Sequence, residues 1–313
     1  MRRSLACQLA CSLAVIVGVA ACSSPVSPDA GNGLPAGRGS VSAVVGQIPV
    51  VAGENFWGDI VRQIGGGRVA VRSIISDPNA DPHEYEASAS DAAAVAQARL
   101  VVGNGLGYDS FLDKMVTANP ATGRVVLHVA DVVGARRSNT NPHLWYNPRY
   151  VAAAGHAIER QLAAADPAGA PGFAANLQHF LNGEQQVVAV INQIKAKHAG
   201  VAIAYTERVP GYLVAAAGLL LGTPASFAQA LEDGTDPSPR DTADFDAALT
   251  GHRVKVLLYN AQATSPTTQK IRDLAARSGI PVVAVTETLP PGARDFQTWQ
   301  ADQARALLSA LGG

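Results

Sequence analysis

Short apolar runs rich in valine and isoleucine alternate along the chain with longer stretches whose apolar residues recur at helical spacing. Ile48-Pro49-Val50-Val51-Ala52 predicts a first strand. It leads into Glu54 to Ile64, a predicted helix ended by Gly65-Gly66-Gly67. The β-branched run Val69 to Ile75 predicts a second strand that empties at Asp77-Pro78-Asn79 into a loop. A helix from Ser90 to Ala98 follows, opened by Ser88 or Ser90 as its cap, then a strand Leu100-Val101-Val102, a helix Ser110 to Thr117 and a strand Arg124 to Val129. Pro148 to Ala164 reads as a helix. Pro171 to Lys197 reads as a longer one, about 35 to 40 Å if uninterrupted, with Gly183 as a weak point.

The second half repeats the rhythm. Strand Val201 to Tyr205 is followed by an apolar helix Gly211 to Leu221. Ser238-Pro239 opens a helix Asp241 to Leu249, and strand Val254 to Leu258 ends at Tyr259-Asn260. Helix Pro266 to Ser278, strand Ile280 to Val285 and helix Phe296 to Leu311 complete the chain. Strands alternating with helices predict an α/β fold: two lobes, each a mostly parallel sheet flanked by helices, joined by one long helix. The corresponding boundaries are an N-terminal lobe 43–166, a linking helix 167–199 and a C-terminal lobe 200–313. In such sheets ligands gather beyond the carboxyl ends of the strands.

Composition narrows the picture. Hydrophobic residues make up 48%, charged residues 16%, and the net charge is -1, so no basic footprint points to nucleic acid. The start differs from the body. Met1-Arg2-Arg3-Ser4 precedes an apolar segment from Leu13 to Ala21, too short for an ordinary membrane span, as in a secretory signal. Val19-Ala20-Ala21-Cys22 resembles a bacterial lipobox, which would leave Cys22 lipidated after cleavage of residues 1–22. All three cysteines lie in this segment, so no disulfide framework is expected in the mature chain. The Gly/Pro/Ser/Ala-rich tract 23–42 reads as a flexible tether, and the whole as a body leashed to the outer face of a membrane.

Two lone histidines stand out because each follows a polar residue and a proline. His83 lies in Asp81-Pro82-His83-Glu84-Tyr85-Glu86, and His143 in Asn141-Pro142-His143-Leu144-Trp145. Pro82 stiffens the backbone that presents the imidazole. Each histidine alone reads as a surface side chain in a polar turn; the repetition favours a shared role. Glu207 and Glu287 follow the strands Val201 to Tyr205 and Ile280 to Val285. Singly each reads as a capping acid, but together the four could converge in a cleft as an N2O2 donor set for a borderline divalent cation. Arg208 could pair with a carboxylate or stand in solvent.

These motifs resemble the zinc/manganese group of metal-binding solute receptors of ABC importers. The resemblance runs from Glu54-Asn55-Phe56-Trp57 to the last helix. It implies two α/β lobes joined by a long helix, with one ligand from each of four loops: His83, His143, Glu207 and Glu287. It further implies a divalent metal ion, manganese or zinc, as transported ligand, and a membrane permease as partner. A lipid-anchored, extracytoplasmic monomer without enzymatic activity is expected, with only small lobe movements about a stiff helix. Glu287 departs from the family's usual Asp and is one methylene longer, so Asp295 stands as the alternative fourth ligand. Glu at position 207 and the lack of a His-rich loop lean toward manganese. A receptor for a metal chelate is the alternative reading. A secreted metallohydrolase is a further one, disfavoured because no His-Glu-x-x-His motif is present and four protein ligands leave little room for an activated water.

Overall fold

The computed structural model describes residues 46–77, 85, 88–136 and 140–313. The lipobox Cys22, the tether and the loop carrying His83 lie outside the described residues. Eight strands form two four-stranded sheets, and every pairing among the described residues is parallel. The first sheet has the order β2-β1-β3-β4, from β1 (Ile48–Glu54), β2 (Val69–Ile75), β3 (Leu100–Gly103) and β4 (Val125–His128). The second has the order β6-β5-β7-β8, from β5 (Ala202–Tyr205), β6 (Leu220–Leu221), β7 (Leu257–Asn260) and β8 (Val282–Val285). Parallel pairing sends the carboxyl ends of all the strands in a sheet to one edge, which is where loops can gather functional side chains.

Helices cover both sheets. In order they are α1 (Asn55–Gly65), α2 (Ala89–Gln97), α3 (Ser110–Ala118), α4 (Val129–Val132), α5 (Pro148–Ala165), α6 (Ala170–His198), α7 (Gly211–Ala216), α8 (Ala225–Glu232), α9 (Pro239–Thr250), α10 (Pro266–Arg277) and α11 (Phe296–Ala310). Their starts follow from capping chemistry. Ser88, Asn147, Ser238, Ser265 and Asp295 each accept a backbone N–H of the first turn, and Pro148, Pro239 and Pro266 occupy the position where a missing N–H costs nothing.

Three expectations are corrected. The apolar run Gly211 to Leu221 is a helix only to Ala216. Gly218 takes φ +66°, a conformation glycine adopts without strain, and Leu220–Leu221 turns away to pair with β5 as an edge strand. Pairing in β7 begins at Leu257 rather than Val254, although Val254 and Val256 are buried. Gly183 is not a weak point. α6 runs unbroken for 29 residues, roughly 43 Å at 1.5 Å per residue, and a Cβ at Gly183 would stand 3.1 Å from Nε2 of Gln297. The missing side chain is the notch into which α11 packs.

One apolar core runs through both sheets. Ile48, Val50, Phe56, Trp145 and Phe180 belong to the same buried cluster as Ile203, Leu258, Val285 and Trp299. Phe56 stacks on Trp145 with centroids 4.1 Å apart and lies 6.4 Å from Trp299. Polar ties reinforce this seam: Asn55 exchanges hydrogen bonds with the backbone of Leu289 at 3.0 Å each way, and Phe296 N donates to Asp59. Loss of such close packing costs several kcal/mol, so the two sheets are held in register by shared side chains as well as by α6.

Candidate metal centre

His143 lies just before a short 3-10 turn (Leu144–Tyr146) whose side chains Leu144, Trp145 and Tyr146 are all buried. That anchor places the imidazole in the interior with no exposed surface. Its tautomer follows from its neighbours. Asn141 Nδ2 donates to the carbonyl of Arg208 at 2.7 Å, so Asn141 Oδ1 faces His143, accepting its backbone N–H at 3.1 Å and its Nδ1–H at 2.6 Å. The proton is thereby held on Nδ1. Nε2 meets no hydrogen-bond partner among the described residues and stands 3.6 Å from Glu287 Oε2. A metal-ligating imidazole is oriented in this way, with its second nitrogen donating to a fixed acceptor.

The two predicted glutamates sit at the carboxyl edge of the second sheet. Glu207 follows β5 and is 4% exposed; Glu287 follows β8 and is fully buried. Asn260, the last residue of β7, links them: its Nδ2 donates to Glu207 Oε2 and to Glu287 Oε1, each at 2.7 Å. Asn260 Oδ1 accepts Gln262 N at 3.1 Å, which fixes the amide's orientation. Gln262 Oε1 accepts the backbone N–H groups of Glu287 and Thr288 at 2.5 and 2.9 Å. From the first sheet, Tyr108 donates its hydroxyl proton to Glu287 Oε2 at 2.7 Å. Tyr108 follows Leu106, whose φ of 60° is costly for a side chain with a Cβ. A strained turn therefore delivers the phenol to the acid of the opposite sheet.

The structure thus brings His143, Glu207 and Glu287 to one place where the two edges meet, while His83 lies outside the described residues. Among the described residues, no group of three His, Cys, Asp or Glu side chains stands at ligating distance. The Asn260 amide bridges the two carboxylates. The donor types fit a divalent ion nonetheless: an imidazole with a bare nitrogen and two carboxylates. A cavity of about 560 Å³, lined in part by Glu207, Gly234, Asp236, Gln262 and Ser265, lies beside the second edge. Asp295 is engaged elsewhere, capping α11 through Thr298 N at 2.8 Å and pairing with Arg294 at 2.9 Å. Arg208 pairs with Glu232 through two hydrogen bonds of 2.8 and 2.7 Å. His128 contacts Asp113 at 2.9 Å.

Sequence reasoning passed over Asn141, Asn260 and Tyr108. Asn260 was visible as a strand end, and Asn141 as part of the Pro-His motif, but nothing local told that their amides would orient the donors.

Comparison with known proteins agrees with this architecture. Residues 50–310 match the ZnuA family, described as zinc-uptake complex component A, periplasmic. The manganese-binding lipoprotein MntA of Halalkalibacterium halodurans is 28% identical over 144 residues, covering 45% of this chain and 47% of that protein. The metal ABC transporter substrate-binding lipoprotein FimA of Streptococcus parasanguinis is 28% identical over 190 residues, 57% of each. The chain spans about half the length of the curated relatives it matches. Among solved structures, the periplasmic zinc binding protein TroA from Treponema pallidum superposes with a TM-score of 0.72 at 17% identity, covering 86% of this chain and 100% of that one. The Mn-bound periplasmic metal binding protein from Candidatus Liberibacter asiaticus gives 0.68 at 17% identity, covering 84% and 98%. At these identities the structures establish the fold, two parallel α/β sheets with a long helix. Because the family match spans nearly all of the described residues, the chain belongs to the ZnuA family, zinc-uptake complex component A.

Proposed function

We propose that this chain captures a divalent transition-metal ion, manganese or zinc, where its two sheet edges meet, and hands it to a membrane permease of an ABC importer. The ligands are His83, His143, Glu207 and Glu287. The observation that carries this reading is the bare, fully buried Nε2 of His143, held toward Glu287 by the Asn141 hydrogen bond on its other nitrogen. A buried nitrogen lone pair with no donor is costly unless an electrophile completes it. Lipidation of Cys22 would keep the receptor on the outer face of the membrane, as a monomer close to its permease.

Glu207 in place of a third histidine leans the site toward manganese, because carboxylate oxygen suits harder ions. On intrinsic affinity order zinc still binds more tightly, so the physiological ion also depends on supply. Uptake needs neutral imidazoles and ionised carboxylates, which makes affinity fall at acid pH.

The test is a competition titration on the metal-stripped fragment lacking residues 1–22, with manganese and zinc at controlled free-ion levels. Manganese binding at micromolar or tighter, with readily exchanged zinc, supports a manganese receptor. Tight binding of zinc alone makes this a zinc receptor, and binding of neither ion discards the reading.

A further inference from the structure

We infer that Tyr146 is a positioning residue of the metal centre: its hydroxyl bolts the turn beside His143 to the residue before Glu287, and so sets the spacing of these two donors and the choice between ions. This deepens the reading of the site as a metal centre and rests on it.

Tyr146 closes the 3-10 turn that starts directly after His143, and its backbone N–H donates to the His143 carbonyl at 3.1 Å. Imidazole and phenol therefore belong to one short, stiff unit. The phenol is 2% exposed, and burial of that degree calls for a partner to its hydroxyl. It has two, both in the other half: the carbonyl oxygen of Thr286 at 2.7 Å and Oε1 of Gln303 on α11 at 2.8 Å. Its single proton is shared between them.

Thr286 stands between the end of β8 and Glu287. Its backbone N–H donates to Gln303 Oε1 at 2.9 Å, and its Oγ1 accepts Trp299 Nε1 at 2.9 Å. Among these bonds, the phenol's is the one that reaches Thr286 from the first half. Packing is incomplete on the other side, where a cavity of about 490 Å³ is lined in part by Thr286, Pro290, Trp299 and Gln303. The segment has room to shift, and its polar ties decide where it stays.

A closed path results, from His143 through its turn to the Tyr146 hydroxyl, the Thr286 carbonyl and Glu287, whose Oε2 lies 3.6 Å from His143 Nε2. Tyr108 restrains the same acid at its carboxylate, whereas Tyr146 restrains the backbone from which that acid projects. On raw affinity zinc is ahead of manganese, so a site tells the two apart by geometry. A donor spacing held from outside the ligand set is such a geometric device. Loosening it lets the intrinsic order return.

The experiment is titration of manganese and of zinc into metal-stripped wild type, Tyr146→Phe and Tyr259→Phe, with backbone amide hydrogen exchange of the metal-free proteins. Tyr259 is the control, a buried phenol whose hydroxyl meets no partner among the described residues. Expected in Y146F is a loss of about tenfold in manganese affinity and a smaller loss for zinc, so that the zinc-to-manganese affinity ratio rises at least about threefold. Exchange at the amides of residues 287–289 quickens roughly fivefold, the equivalent of one hydrogen bond's net contribution, while that of β1 is unchanged. Y259F keeps wild-type affinities. A smaller rise in the ratio, or a shift toward manganese, overturns the proposal even where both affinities fall, because a merely structural loss weakens both ions alike. An equal change of ratio in Y259F overturns it too. Should Y146F not fold, Gln303→Met, which withdraws one acceptor of the phenol and the partner of Thr286 N at similar length, faces the same thresholds. Wild type that binds neither ion removes the metal-centre reading and this inference together; wild-type binding with an unmoved ratio in Y146F removes the role of Tyr146 alone.

Discussion

The carboxyl edges of the two sheets meet, yet they are built differently. On the second edge each acid is held by amides of its own half: Asn260 bridges Glu207 and Glu287, and Gln262 cradles the backbone of residues 287 and 288. On the first edge the groups are held singly. His143 depends on Asn141, and Asp109 on two backbone amides. The second edge is a scaffold cross-linked by its own amides. The first edge presents its groups one at a time, each on its own support. An aromatic seam of Phe56, Trp145 and Trp299 joins the two halves.

The sharpest way to break the comparison is to remove a proposed ligand. Replacing His143 by Ala should weaken metal binding beyond the roughly 10–100-fold that loss of an outer-shell partner costs, and His83→Ala should do the same. Titration of each purified variant decides it, and retention of full affinity in either would strike that histidine from the ligand set.

A smaller but more informative effect is expected from Asn260→Ala. It takes two donors from two buried carboxylates, so the metal-free protein should lose about 1–3 kcal/mol, read by denaturant unfolding. Metal affinity should fall about 10–100-fold. If the edge is indeed such a scaffold, both readouts move together. Unchanged stability with reduced affinity would mean that the amide serves the bound ion only, and the contrast between the edges would collapse.

How much of this could be read from the residues depends on range. The alternation of strands and helices was legible because periodicity and capping are local; His143 stood out by the proline and polar residue before it, and Glu207 and Glu287 because each follows a strand. The orienting amides did not. Asn141 acts by reaching Arg208 with its other end, and Asn260 by standing between acids that follow two different strands. Those relations exist only after folding. Leu220–Leu221 was misread because an apolar run has no period of its own, and the turn at Gly218 decides its fate.

The smallest expected effect concerns Glu184, which shows what a buried acid does when no site claims it. It lies on α6, 4% exposed, with Oε1 lacking a hydrogen-bond partner among the described residues. Burial pushes its carboxyl up to about 8, and the charge of Asp295 adds to the rise. In the unfolded chain the group titrates near 4.5. Between these values the folded protein holds a proton that the unfolded chain releases, so stability declines as pH rises through this window and the decline levels off above about 8. The slope is at most ~1.4 kcal/mol per pH unit from this one group. Glu184→Gln keeps the shape and removes the titration. Its melting temperature, measured metal-free, should exceed that of wild type by a margin that widens from pH 5 to pH 8, while manganese affinity stays unchanged. Parallel melting curves across that range would show that Glu184 ionises in the folded state at no cost. Burial without donors would then be a poor sign of function in this fold.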